Sequence, residues 1–184
     1  MAAALETAES GRAATFDDLA RLYWDRAYRF AALVTRNDQE SSDIAQEALL
    51  KVFRNADRFD PSKGPFESWL WQIVLNVARD AGRAASRRRS LLERLRRDQA
   101  TRGEADAGLL AIQRIGDREL VAAVRRLPKR PRTLIALRFG AELSYSEIGN
   151  QLGLSRPAAV MATRRALDLL RAQIKEEADD DRSI

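Results

Sequence analysis

The sequence has no cysteine and no histidine. The first absence excludes disulfides and thiolate chemistry and fits a cytoplasmic protein. The second removes the commonest general base and the commonest metal ligand, so catalysis would have to rest on carboxylates and lysine. A phosphate-binding glycine loop, a nucleophile elbow and a metal-ligand cluster are missing as well. The reading is a non-enzyme with no cofactor and no metal. No run approaches the roughly 18 consecutive apolar residues of a membrane helix, so no membrane insertion is expected. Met1 to Ala14 is rich in alanine but carries Glu6 and Glu9 and lacks a basic start before an apolar run. It reads as a disordered N-terminus over 1–15, not as a signal peptide.

The 184 residues suffice for one ordinary domain or two small ones. A hydrophobic share of 45% supports real cores, and a charged share of 32% supports a solvated surface. The net charge of +5 favours an anionic partner. Glu176, Glu177, Asp179, Asp180 and Asp181 crowd into an acidic tail over 175–184, which leaves the remainder more basic than the total suggests.

Apolar spacing predicts helices throughout. Phe16, Leu19, Ala20, Tyr23, Ala27, Phe30, Ala31 and Val34 make one stripe at three-and-four spacing. Asn37-Asp38 breaks it, and Ile44, Ala45, Ala48, Leu49, Val52, Phe53 and Ala56 make a second. Two prolines and a glycine within RFDPSKGP, 58–65, predict a loop. A third helix starts near Phe66, carries Trp69, Leu70, Ile73, Val74, Val77 and Ala78, and dissolves into Arg83 and Arg87-Arg88-Arg89. Residues 91–116 read as a solvated linker, although Leu91, Leu92 and Leu95 could extend the helix briefly. A second block, 117–174, opens with Asp117 as a helix cap, and Pro128 and Pro131 frame a turn into a helix from Arg132 to Phe139. The fold class is therefore all-α: two small helical domains, 16–90 and 117–174, joined by a flexible linker.

The second block contains a helix-turn-helix pattern. Ser144 and Glu147 form a capping box, Ile148 and Leu152 line the inner face of a short helix, and Gly153 suits the tight turn. Ser155 can cap the next helix, with Pro157 in its first turn and Ala159, Thr163, Ala166 and Leu170 facing inward. An ordinary helical hairpin would carry the same signs. Outward-facing Arg156, Arg164 and Arg165 suit phosphates or guanine edges. Val160, Met161 and Ala162 between them cannot donate hydrogen bonds, and suit thymine methyls or a protein partner.

The segment 65–89 combines Phe66, Trp69 and Trp71 with Asn76, Arg79, Arg83 and the arginine run, after the polar loop Asp60-Pro61-Ser62-Lys63. Aromatic faces can stack unpaired bases, amides can read base edges and arginines can hold phosphates. Trp69 and Ile73, a turn apart, equally suit a core.

RFDPSKGPFESWLWQIVLNVARD resembles the promoter-melting region of extracytoplasmic-function sigma factors, the two-domain members of the main bacterial sigma family. DIAQEALLKVF, Asp43 to Phe53, resembles their polymerase-clamp-binding helix, and LPKRPRTLIALRFGAELSYSEIGNQLGLS resembles their upstream-element domain. The resemblance spans about 16–89 and 117–174. It implies that Asp43, Gln46 and Glu47 meet the clamp coiled coil of the largest polymerase subunit. It also implies that Ser62, Lys63, Phe66, Trp69, Asn76, Arg79 and Arg83 engage the −10 element, with a flipped base captured by the loop 60–64 and Asn76. Arg156, Arg164 and Arg165 would enter the −35 major groove. Implied partners are the RNA polymerase core (clamp coiled coil and flap), promoter DNA and an anti-sigma factor. The chain departs from the family at Val160 and Ala162, where basic or polar residues are usual, and at Pro157, where a small residue is usual.

The leading expectation is thus a sigma factor that directs promoter recognition, melting and initiation. A stand-alone helix-turn-helix regulator would leave the first domain unexplained. A sigma-like adaptor or decoy, which binds polymerase without reading promoters, draws on the apolar 160–162 patch.

Overall fold

The computed structural model describes residues 15–35, 38–95 and 118–180, with side chains at all of these except 38, 89–95, 118 and 177–180. Among the described residues there are seven α-helices and no strand, as the apolar spacing predicts. The first domain is formed by α1 (Phe16–Val34), α2 (Asp38–Arg54) and α3 (Phe66–Leu95). The second contains α4 (Arg118–Arg126), α5 (Lys129–Ile135), α6 (Tyr145–Leu152) and α7 (Arg156–Asp180).

Local chemistry sets the helix ends. Thr15 caps α1 in a reciprocal box: its hydroxyl accepts from the Asp18 amide at 3.3 Å, and the Asp18 carboxylate accepts from the Thr15 amide at 3.0 Å. The arginine run does not dissolve the third helix. Long, unbranched arginines are good helix formers, and α3 continues to Leu95, so the start of the expected linker takes the brief helical extension that Leu91, Leu92 and Leu95 allow. The rest of that linker, and the Asp117 cap, lie outside the described residues. The helix expected from Arg132 to Phe139 starts earlier, at Lys129, which places Pro131 inside its first turn, and it ends at Ile135. Ala136–Gly140 then forms one π-helical turn, closed by the Ala141 amide donating to the Ala136 carbonyl at 2.9 Å.

The expected stripe on α1 is buried at Leu19, Tyr23, Ala27, Phe30 and Ala31, but so are Tyr28, Ala32 and Leu33. This stretch is buried nearly all round because α1 has neighbours on two sides. It packs on α2 and α3 within its own domain, and on α4, α5 and the π turn of the second. The two domains therefore share one continuous apolar core, running from Leu49, Leu70 and Val74 through Phe30 to Val124, Leu137 and Ile148. Phe30 is fully buried, with Trp71 edge-on at 6.2 Å between ring centroids, a pair contributing about 0.5–1.5 kcal/mol beyond area burial. Opposite lies Gly140, where a β-carbon would stand 2.8 Å from the Phe30 nitrogen and 2.9 Å from its Cα. Only a glycine lets the π turn approach the α1 backbone so closely.

Polar contacts bracket this seam. Arg26 Nε donates to the Ala141 carbonyl at 2.8 Å, and Arg125 Nε donates to the Ala32 carbonyl at 2.8 Å. The Gln151 amide donates to the Ser68 carbonyl at 2.7 Å, and Arg29 pairs with Glu142 at 2.6 Å. Hydrogen bonds of this kind contribute about 0.5–3 kcal/mol each, the charged ones most. Glu142 adopts φ 59°, a left-handed conformation that costs a non-glycine residue roughly 1–2 kcal/mol. The seam also buries the Ser68 hydroxyl, the Trp71 indole nitrogen and the Gln151 side-chain oxygen without hydrogen-bond partners among the described residues, at about 1–3 kcal/mol each.

Two alanine substitutions should act with opposite signs. Gly140→Ala forces backbone apart at Phe30 and should destabilise the chain by about 1–3 kcal/mol. Gly82→Ala, in α3 with nothing within 4 Å of the new β-carbon, should stabilise by about 0.5–1 kcal/mol. Urea denaturation of both variants checks the pair.

Candidate nucleic-acid interface

The loop before α3 is built by one carboxylate. Asp60 caps a short 3-10 turn, Pro61–Lys63, its Oδ1 accepting from the Ser62 amide at 3.0 Å and the Ser62 hydroxyl at 2.7 Å. Its other oxygen pairs with Lys63 Nζ at 3.2 Å. Together these bonds, the Ser62 ones first, hold the Asp60 carboxyl below its ordinary range although it is partly exposed to solvent. Ser62 and Lys63 are exposed, and Gly64, at φ 134°, takes a conformation that suits glycine alone. Aromatic packing ties the loop to α3: the Phe59 ring lies 5.3 Å from Phe66 and 5.7 Å from Trp69.

Along α3, Trp69, Gln72, Asn76, Arg79, Arg83 and Arg87 recur at three-and-four spacing and share one partly exposed face. From Trp69 to Arg83 that face extends about 21 Å along the helix. Asn76 is exposed, its carbonyl accepting from the Gln72 amide at 3.2 Å, and Arg83 pairs with Asp80 one turn away. Phe66 is different. Expected at this face, it is only 6% exposed and packs on Tyr23, Phe59 and Trp69, because its place at the start of α3 turns it into the core. Trp71, also among the aromatics suited to stacking bases, is 1% exposed and equally a core residue.

On α2, Asp43, Gln46 and Glu47 are exposed. Asp43 accepts from the Gln39 amide at 2.9 Å, and Glu47 pairs with Lys51 at 2.7 Å. Both pairs are helical neighbours four residues apart, weak in solvent and easily exchanged for another partner. Phe53, a member of the expected apolar stripe, is 43% exposed and meets Phe16 edge-on at 6.0 Å.

The helix-turn-helix forms as its sequence predicts. Ser144 and Glu147 complete the capping box, Gly153 takes the left-handed cap at φ 67°, and the Ser155 hydroxyl accepts from the Ala158 amide at 3.3 Å. Ala159, Thr163, Ala166 and Leu170 are buried. Gly149 adds a constraint the sequence reading missed, since a β-carbon there would sit 2.6 Å from the Leu154 carbonyl oxygen. Arg156, Arg164, Arg165 and Met161 are exposed, while Val160 and Ala162 are half-buried, so the apolar patch on the outer face narrows to Met161. Arg156 also lines a cleft of about 450 Å³ with Arg138, Glu142, Ser144, Tyr145, Ser146 and Glu147. There Arg138 lies over the Tyr145 ring at 5.2 Å and donates to the Leu143 carbonyl at 3.1 Å.

Arg26 escaped the sequence reading. It pairs with Glu67 at 3.0 Å, lies over Trp71 at 5.2 Å and reaches Ala141 in the other domain. A single charge inside an apolar stripe was its only signal. Burial, reinforced by the Glu67 carboxylate and opposed by Arg26, pushes the Tyr23 hydroxyl up.

Two family models match in the expected order, Sigma-70 region 2 over residues 15–89 and Sigma-70 region 4 over residues 123–172. The ECF RNA polymerase sigma factor SigE of Mycolicibacterium smegmatis is 30% identical over 95% of this chain and 67% of its own length. The chain belongs to the ECF sigma factors. SigW of Bacillus subtilis, another ECF RNA polymerase sigma factor, is 27% identical over 94% of this sigma factor and 95% of its own length. The fold matches that of the sigma factor RpoE of Bartonella quintana, solved in complex with the anti-sigma factor NepR, with a TM-score of 0.59. That match is 19% identical and covers 87% of this chain and 96% of the other. This sigma factor thus acts in promoter-directed initiation by RNA polymerase and binds DNA. Among the described residues no helix is long and apolar enough to cross a membrane.

The Asp60 turn carries a pH signature. Its carboxylate is depressed in the fold, so its contribution to the loop is present above the ordinary aspartate value near 3.8 and is lost as pH falls through the lower folded value. Ser62→Ala should return the Asp60 carboxyl toward 3.8 in an NMR titration of the folded chain.

Proposed function

We propose that this sigma factor divides its work among three surfaces and performs no catalysis of its own, acting in the cytoplasm as a specificity subunit. Asp43, Gln46 and Glu47 on α2 meet the clamp coiled coil of the polymerase core. The loop 60–64 and the α3 face engage the opened −10 element, and α7 meets duplex DNA at −35. Phe66 serves this indirectly, by seating the loop on the core, while Trp69 flanks the DNA face. One observation carries the −10 assignment. A loop pre-shaped by Asp60 leads directly into a helix that presents two amides, three arginines and a partly exposed indole along one side. Amides read base edges, arginines bind phosphates, and aromatic rings stack unpaired bases.

The −35 surface is thinner. Arg156, Arg164 and Arg165 are exposed, but Met161 stands among them, and Asp168 joins the same exposed side with Arg171 at 3.0 Å. This composition suits phosphate contact more than base reading. A stand-alone helix-turn-helix regulator fits less well, since the second domain shares its core with the first. An anti-sigma factor remains an expected partner, in keeping with the complex in which a relative was solved.

Asn76→Ala should slow promoter opening about tenfold, the loss of one good base contact, while core-polymerase affinity stays unchanged. Permanganate footprinting and a core-binding titration separate the two, and equal losses in both would refute the assignment. Arg164→Ala should weaken upstream duplex binding and lower the salt slope by about one. Transcription in vitro with core polymerase on a genomic library tests the whole reading. Core binding without any specific start would refute the division of work among the three surfaces.

A further inference from the structure

Between the loop and the arginines, the α3 face carries two amides bonded to each other. Gln72 and Asn76 stand one turn apart, and the Gln72 nitrogen donates to the Asn76 side-chain oxygen at 3.2 Å. The direction of that bond decides what Asn76 can offer to DNA. Its oxygen is drawn back along the helix toward Gln72, so its nitrogen, on the other arm of the amide, is turned away. The helical neighbour placed to take this nitrogen is Asp80, one turn further on, but the Asp80 carboxylate is paired with Arg83. Among the described residues the Asn76 nitrogen therefore has no acceptor, and Asn76 is exposed. Arg79, next along the face, adds donors alone.

An unconstrained asparagine pairs best with adenine, using both ends of its amide to accept from N6 and donate to N7. Held by Gln72, Asn76 keeps its donor and commits its acceptor. Adenine is also the one DNA base without a carbonyl oxygen. We propose that Gln72 is a positioning residue that fixes the polarity of Asn76, making it a donor that selects a carbonyl-bearing base of the opened −10 strand against adenine. The inference rests on the −10 assignment above. In open solvent a bond between neighbouring amides favours one orientation only about twofold. A base seated on the face excludes water, and the wrong orientation then leaves a polar group unpaired, so the bias grows to about threefold to tenfold. Gln72 is itself half-buried, which leaves it fewer orientations to give up.

The test uses holoenzyme assembled from the full chain and core polymerase, offered duplex DNA that ends in a randomised single-stranded overhang. The bound DNA is sequenced. Wild type should enrich carbonyl-bearing bases over adenine at one position, and Asn76→Ala should erase that preference. Gln72→Glu replaces the donor with an acceptor, which takes the Asn76 nitrogen and turns its oxygen outward. The ratio of carbonyl-bearing bases to adenine at that position should then fall about threefold to tenfold. The added negative charge weakens binding of every base alike, which a ratio does not register. Gln72→Lys, a donor only, should keep the ratio within about twofold of wild type, a rescue that a role in packing alone would not give. An unchanged ratio in Gln72→Glu, or equal falls in both variants, would overturn the positioning role and leave the −10 assignment standing. Adenine enriched by wild type at the Asn76-dependent position would overturn it as well. If no position responds to Asn76→Ala, the −10 assignment fails and the inference fails with it.

Discussion

Everything in this molecule turns on how closely two backbones meet at Phe30. On one side the ring is met by Trp71, which fixes α1 against α3. On the other, Gly140 presents no side chain, and the π turn settles directly on α1. A β-carbon at that one position is incompatible with the approach. The extra residue in the π turn brings Gly140 to α1, and the strained Glu142 that follows redirects the chain into the helix-turn-helix. Three unusual backbone features thus fall within seven residues, all in the segment that meets the first domain.

The same crowding explains where the charges go. Arg26 threads between Trp71 and Glu67 and ends on a carbonyl of the opposite domain, so its desolvation is offset by a ring face, a carboxylate and a backbone acceptor together. The surfaces assigned to polymerase and DNA are built otherwise. There charges pair only with helical neighbours, as Glu47 does with Lys51 and Arg83 with Asp80. Such pairs lose little when a partner replaces them. The chain therefore carries charges bonded across the seam where its domains meet and charges paired with helical neighbours where it would meet others.

Helix periods, the capping box at Ser144 and the inward face of α7 were legible in the sequence because each is local: a repeat of three and four, or a side chain bonded three residues away. The family motifs placed the remaining surfaces. Phe66 misled because its segment promised stacking, and residue type does not say which way the first turn of a helix points. Gly140 and Arg26 escaped for a different reason. Their roles depend on a neighbour more than a hundred positions away, and no periodicity records such a pairing. The run of buried residues from Ala27 to Leu33 held a hint, since a helix apolar on more than one face asks for cover on more than one face.

That shared helix has a thermodynamic consequence. Domains named by sequence family are usually taken as separable units, each with its own melting transition. Here α1 supplies core to both, so unfolding one half strips cover from Phe30, Ala31 and Leu33 and exposes the other to water. With the seam packed, the chain is expected to melt in one cooperative transition rather than in one for each family domain.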